Sequence, residues 1–149
     1  MLSYSRTKSI GVQMQGPDKR VVNGILEDEL YGMECRIVVN WPDLRIESVQ
    51  ARMKRFTTVR CPRAMKVFDR AVGWKLDEEL DGKIKKEIGR NGCRHMAVLM
   101  VDCCRNLARA EFARELRSAL ENAPDLDKTA FTRNFFQRYP ALTNYLRLQ

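Results

Sequence analysis

The hydrophobic period of this chain changes once, and that change limits the fold more than any other feature. From Met33 to Val39 the period is two. Met33, Cys35, Ile37 and Val39 face one way; Glu34, Arg36, Val38 and Asn40 face the other, as in a strand with one buried face. After Pro62 the apolar residues Ala64, Met65, Val67, Phe68, Ala71 and Val72 recur at helical spacing instead. Strands first and helices second predict an α+β fold: a small antiparallel sheet of about three to four strands, followed by helices packed on one face.

The elements follow from local chemistry. Ser5–Met14 reads as an edge strand. Arg20–Leu30 carries the run Val21-Val22-Asn23-Gly24-Ile25-Leu26 and then the acidic cluster Glu27-Asp28-Glu29. Trp41-Pro42-Asp43 is a turn, because proline fixes φ and aspartate bonds the local backbone. Leu44–Phe56 is the next strand, close enough to pair as a hairpin. Pro62 suits the first turn of a helix, and Gly73 its end. Asp77–Ile88 forms a second helix, with Leu80, Ile84 and Ile88 on one stripe. Asn91-Gly92 breaks it. Cys93–Leu120 is a long helix or two stacked pieces, ended before Pro124. Thr129–Tyr139 is a short amphipathic helix. One domain is expected over residues 1–149, with a core over about 20–121 and a helical extension over 125–149.

Composition narrows the chemistry. Hydrophobic residues make up 44% and charged residues 31%, so a chain of this length can bury a core without disulfides. No run approaches the ~18 apolar residues of a membrane span. Met1 to Gly16 lacks a secretory signal's apolar stretch, so a cytoplasmic location is expected. His95 is the one histidine, which excludes any mechanism needing two. Neither G-x-x-x-x-G-K-S/T nor G-x-G-x-x-G occurs, which argues against the common phosphate loops. The net charge is +8. Arg52, Lys54, Arg55, Arg60, Arg63, Lys66 and Arg70 crowd one stretch against Asp69 alone. They are expected to form a basic face, either simply solvated or facing an acidic partner.

The five cysteines are Cys35, Cys61, Cys93, Cys103 and Cys104. An odd count without a secretion signal predicts reduced thiols, and the absence of C-x-x-C removes the zinc-ribbon and thioredoxin patterns. Cys61 precedes Pro62 and is expected at the cap of the first helix. Cys93 follows Gly92 and is expected to open the long helix. Helix starts carry partial positive charge and unpaired N–H groups, which favour thiolate. His95, two residues on, lies in the same first turn, and imidazole is a common metal ligand. Cys35, on the apolar face of its strand, lies beneath the helices. Asp28 and Glu29 are candidate acidic ligands, or else a solvated turn. Cys103 and Cys104, amid apolar neighbours in mid-helix, are expected in the core as small hydrophobes.

The pattern Arg60-Cys61-Pro62, then Ala71-Val72-Gly73-Trp74-Lys75-Leu76, then Gly92-Cys93-Arg94-His95-Met96 resembles a bacterial family known only as a domain of unknown function. Its members carry C-P-x-A, L-V-G and G-C-T-H-L, with Arg94 here in place of threonine. That resemblance covers roughly Asn23 to Ala110 and implies a fold without an activity. More distantly, the chain is similar to the U-type iron–sulfur cluster assembly scaffolds. Those have three strands, a cysteine at a helix start, and a histidine–cysteine step opening a long helix. The similarity implies ligand cysteines at Cys35, Cys61 and Cys93 and a scaffold histidine at His95. The order here is Cys93-Arg94-His95, and Cys35 is followed by Arg36-Ile37 rather than Gly-Asp.

Three functions follow as expectations. The first is a metal- or cluster-binding accessory or scaffold protein with a protein partner and no membrane contact. It would hold zinc or an iron–sulfur cluster through Cys61, Cys93 and His95, with Cys35 or an acidic side chain as the fourth ligand. The second is a thiol enzyme or sulfur carrier with one cysteine as nucleophile and His95 as base. The third is a basic module binding nucleic acid or an acidic protein, its cysteines purely structural.

Overall fold

The computed structural model describes residues 3–146. Four strands form one sheet in sequence order. They are β1 (Thr7–Gln15), β2 (Lys19–Glu27), β3 (Gly32–Asn40) and β4 (Arg45–Arg55), and every neighbouring pair is antiparallel. The expected α+β class and strand number are those observed. Alternation decides which face is covered. Val22, Leu26, Met33, Cys35, Ile37, Val39, Ile46, Val49 and Met53 are all buried. Each Val, Leu, Ile or Met among them contributes roughly 1.5–3 kcal/mol when removed from water.

The expected long helix is one uninterrupted element, α3 (Arg94–Asn122). It lies across β1, β2 and β3. Its approach to β2 is close: a Cβ on Gly24 would sit 2.4 Å from the sulfur of Cys103. Only a residue without a side chain fits beneath that thiol. An ion pair sunk between sheet and helix reinforces the seam. Arg20 donates to both carboxylate oxygens of Glu111 at 2.9 Å, with both side chains buried. Arg114 donates to the same carboxylate.

The segments between β4 and α3 depart from regular helices. The expected helix at Pro62 is one α turn, α1 (Arg60–Arg63), running into a 3-10 stretch, Ala64–Ala71. The expected helix over Asp77–Ile88 begins later, as α2 (Leu80–Lys83), and widens into a π turn, Ile84–Gly89. Its stripe is as expected: Leu80, Ile84 and Ile88 are fully covered. Between the two, residues 73–76 run beside the start of β4 through backbone bonds from Ile46 to Trp74 and from Leu76 to Leu44.

The C-terminal extension folds back into the main core. In α4 (Lys128–Arg138), capped by the Asp127 carboxylate, Phe135 is completely covered. Its ring meets Phe112 of α3 edge-on at 5.1 Å. Tyr139 accepts a hydrogen bond from the Trp41 indole at 3.0 Å, and Leu142, Tyr145 and Leu146 are buried beyond it. Among the described residues no helix is long and apolar enough to cross a membrane.

Candidate functional site

Three turns meet at the end of the sheet where α3 begins. The β2–β3 connection contributes Tyr31, α1 contributes Arg60 and Cys61, and the stretch from the π turn into α3 contributes Gly89, Arg90, Gly92, Cys93, Arg94 and His95. They line a cleft of about 530 Å³. Cys61 is therefore brought together with the Cys93–His95 pair, which lies some thirty residues further along the chain.

A close backbone approach makes this possible. A Cβ on Gly92 would lie 2.9 Å from the Ile88 carbonyl oxygen, 3.2 Å from that of Ala64 and 3.4 Å from the Val67 side chain. Any side chain there would push the loop before α3 away from the segment that carries Cys61.

Cys61 is the one half-buried thiol; the other four free cysteines are buried. It sits inside the first turn of α1, not at its cap, which is Val59. A four-residue helix has little dipole to offer. The sulfur instead lies 3.6 Å from the Thr58 hydroxyl. Hydrogen bonding from Thr58 lowers the Cys61 pKa, burial opposes it, and further bonding from the Thr58 backbone and from Thr57 adds to the lowering. The expected direction is found, but its source is a threonine pair rather than the helix start.

Cys93 opens α3 as expected. Its backbone is extended and its sulfur accepts the Met96 amide at 3.5 Å, so the thiol serves as the helix cap. The His95 ring is exposed and packs on Tyr31, with centroids 4.6 Å apart and planes tilted by 33°. No hydrogen bond joins His95 to either thiol among the described residues.

The other expected site residues lie elsewhere. Cys35 is on the inner face of β3, against Cys103. The hydrogen bond between these thiols, then burial, raises its pKa well above the ordinary value. Cys103 and Cys104 are core residues, as expected. Asp28 is committed to its own turn and to the N-terminal segment. Its carboxylate accepts the Leu30 and Tyr31 amides at 2.7 Å, the Tyr4 hydroxyl at 2.9 Å and the Arg6 guanidinium at 2.8 Å. Burial alone would raise its pKa, yet these donors hold it well below the usual carboxylate range. Glu29 accepts the Ser5 amide at 3.3 Å and lines no part of the cleft.

Among the described residues, no group of three or more His, Cys, Asp or Glu side chains is placed to hold a metal ion. The basic residues are all exposed but do not act together. Arg52 and Lys54 project from the sheet face opposite α3, where Lys54 meets Glu34 at 2.5 Å. Arg55 turns back to Glu27 and the carbonyls of the β2–β3 turn. Arg63 ends α1, Lys66 lies in the 3-10 stretch after it, and Arg60 alone of the set lines the cleft. Sequence reasoning missed Arg90, Arg94 and Tyr31. The available signal was the run of arginines flanking each cleft cysteine: Arg60 beside Cys61, Arg90 and Arg94 around Cys93.

Fold and cleft together define an α+β protein with two reduced thiols at the sheet end where its long helix begins. The family described as protein of unknown function (DUF2889) matches residues 11–112, more than half of the chain and every residue of the cleft. The chain belongs to that family. No curated protein and no solved structure matches it.

Proposed function

We propose that this protein is a thiol enzyme or sulfur carrier in which Cys61 is the nucleophile. One observation carries the reading. Cys61 is the least buried of the five cysteines, its sulfur is stabilised as thiolate by Thr58, and it opens into a cleft shared with a second thiol and the one histidine. Reactive thiols sit in such partly exposed, polar surroundings, whereas buried structural cysteines are inert. The placement of one cysteine in the first turn after the sheet, and another opening the long helix, supports sulfur handling of the kind the iron–sulfur scaffolds perform. His95 supplies a proton donor or acceptor at the rim. Its ring would swing off Tyr31 to reach a reacting group.

Zinc or an iron–sulfur cluster fits the residues less well. A closed site takes four donors. The cleft offers Cys61, Cys93 and His95; Cys35 faces Cys103 in the core, and Asp28 is saturated by Leu30, Tyr31, Tyr4 and Arg6. The remaining charged lining is three arginines, which oppose a cation.

Alkylation by iodoacetamide at neutral pH, read by peptide mass spectrometry, tests the proposal. One thiol per chain should label fast, at Cys61, without chelator, and Cys61→Ser should remove the fast phase. The rate should rise with pH about a midpoint below the ordinary thiol value of 9.0. Labelling that begins only after a chelator strips zinc or iron would overturn it in favour of a metal site.

A further inference from the structure

We propose that the cleft binds a small substrate carrying an oxyanion group, a carboxylate or a phosphate, held by Arg60, Arg90 and Arg94 beside Cys61. The inference rests on the thiol reading and adds the substrate class. Three arginines from two separate chain segments line one concavity with Cys61 and Cys93, and no aspartate or glutamate lines it. Arg6, Arg20, Arg55, Arg105, Arg114 and Arg138 each pair with a carboxylate, while others outside the cleft, such as Arg36 and Arg52, do not among the described residues. Among the described residues no carboxylate pairs with Arg60, Arg90 or Arg94.

Unpaired cations gathered in a concave site focus a positive potential there and raise the local concentration of anions. The planar guanidinium fork matches carboxylate and phosphate oxygens. The first backbone N–H groups of α3, at Arg94 and His95, add donors without intrahelical partners. A volume of about 530 Å³ suits a small molecule, since such sites span roughly 300–1,000 Å³. The same positive field keeps a bound anion close to the Cys61 sulfur.

The probes are iodoacetate, which carries a carboxylate, and iodoacetamide, which is neutral. In both reactions the Cys61 thiolate attacks the methylene carbon; an S–C bond forms, the C–I bond breaks, and iodide leaves with its electron pair. No oxidant is needed. The ratio of the two rates at Cys61 is compared with the ratio in the same chain unfolded in urea. The folded protein should favour iodoacetate by about tenfold over that reference. Arg90→Gln with Arg94→Gln should abolish the preference, Arg117→Gln, outside the cleft, should keep it, and millimolar inorganic phosphate should suppress it.

Fast iodoacetamide labelling with no iodoacetate preference would overturn this inference alone. A Cys61 inert to both reagents would overturn the thiol reading and this inference with it. Protection by a single-stranded oligonucleotide, but not by phosphate, would overturn the small-molecule assignment in favour of nucleic acid.

Discussion

The α-carbon of Gly92 stands so near the Ala64 carbonyl that a Cβ would lie 3.2 Å from its oxygen. This contact joins the loop that delivers Cys93 and His95 to the segment that delivers Cys61. Gly92→Ala should therefore act on both stability and chemistry. Overpacking of this kind costs about 1–3 kcal/mol, to be read by urea denaturation. Labelling of Cys61 in the folded variant should lose its preference for the anionic reagent, because the cleft widens. A variant as stable as the parent would show that the loop yields freely.

Gly24 and Cys103 make a sharper test. A Cβ at Gly24 would sit 2.4 Å from the Cys103 sulfur, so Gly24→Ala should destabilise by roughly 1–3 kcal/mol. Removing the sulfur makes room. In a double-mutant cycle, Gly24→Ala with Cys103→Ala should be more stable than the sum of the single effects by more than about 0.5 kcal/mol. Strict additivity would mean that the helix moves rather than the thiol.

The buried Arg20–Glu111 pair predicts a large single-site effect. Glu111→Ala leaves Arg20 covered and without its carboxylate partner, at a cost of about 3–5 kcal/mol. Replacing both, by Arg20→Met with Glu111→Leu, should recover most of that loss, since packed apolar residues replace such pairs well. Thermal melts of the three variants decide it.

Acid should loosen the fold through the same carboxylates. Burial raises the Glu111 pKa, but Arg20 and Arg114 outweigh it and lower it; Asp28 is lowered likewise by its own donors. Groups depressed in the folded state contribute stability above their unfolded pKa values, near 4.5 and 3.8. That contribution disappears as the pH falls through the folded values. The Tm should fall steadily below about pH 4.5, and Asp28→Asn should flatten part of the slope. A Tm unchanged to pH 3 would refute the assignment.

Phe135 measures how far the C-terminal helix belongs to the core. Its ring is fully covered and meets Phe112, Phe136 and Tyr139. Phe135→Ala should cost about 3–5 kcal/mol, whereas Phe131→Ala, half-buried at the edge of the same cluster, should cost clearly less. Equal effects would place α4 outside the cooperative unit.

What the sequence discloses follows from the range of the forces involved. The sheet was legible because alternation from Met33 to Val39 is local, and so was the inward face of Cys35. The capping role of Cys93 was legible from Gly92 before it. The 3-10 and π segments were not, because Ala64–Ala71 and Ile84–Gly89 carry a helical stripe while tertiary packing sets the hydrogen-bond pattern. Nor could the sequence show that Cys61 and Cys93 share a cleft, since that depends on Gly92 meeting Ala64 and Val67 across the fold. The basic stretch misled by its density: consecutive cations on a strand and a turn point in different directions.

The family match ends at residue 112, while α3 runs to Asn122 and the aromatic cover of Trp41 and Phe112 comes from Tyr139 and α4. The family match and the folded unit are therefore of different lengths. A fragment cut at the family boundary would sever α3 inside a turn and leave Trp41 and Phe112 bare to water.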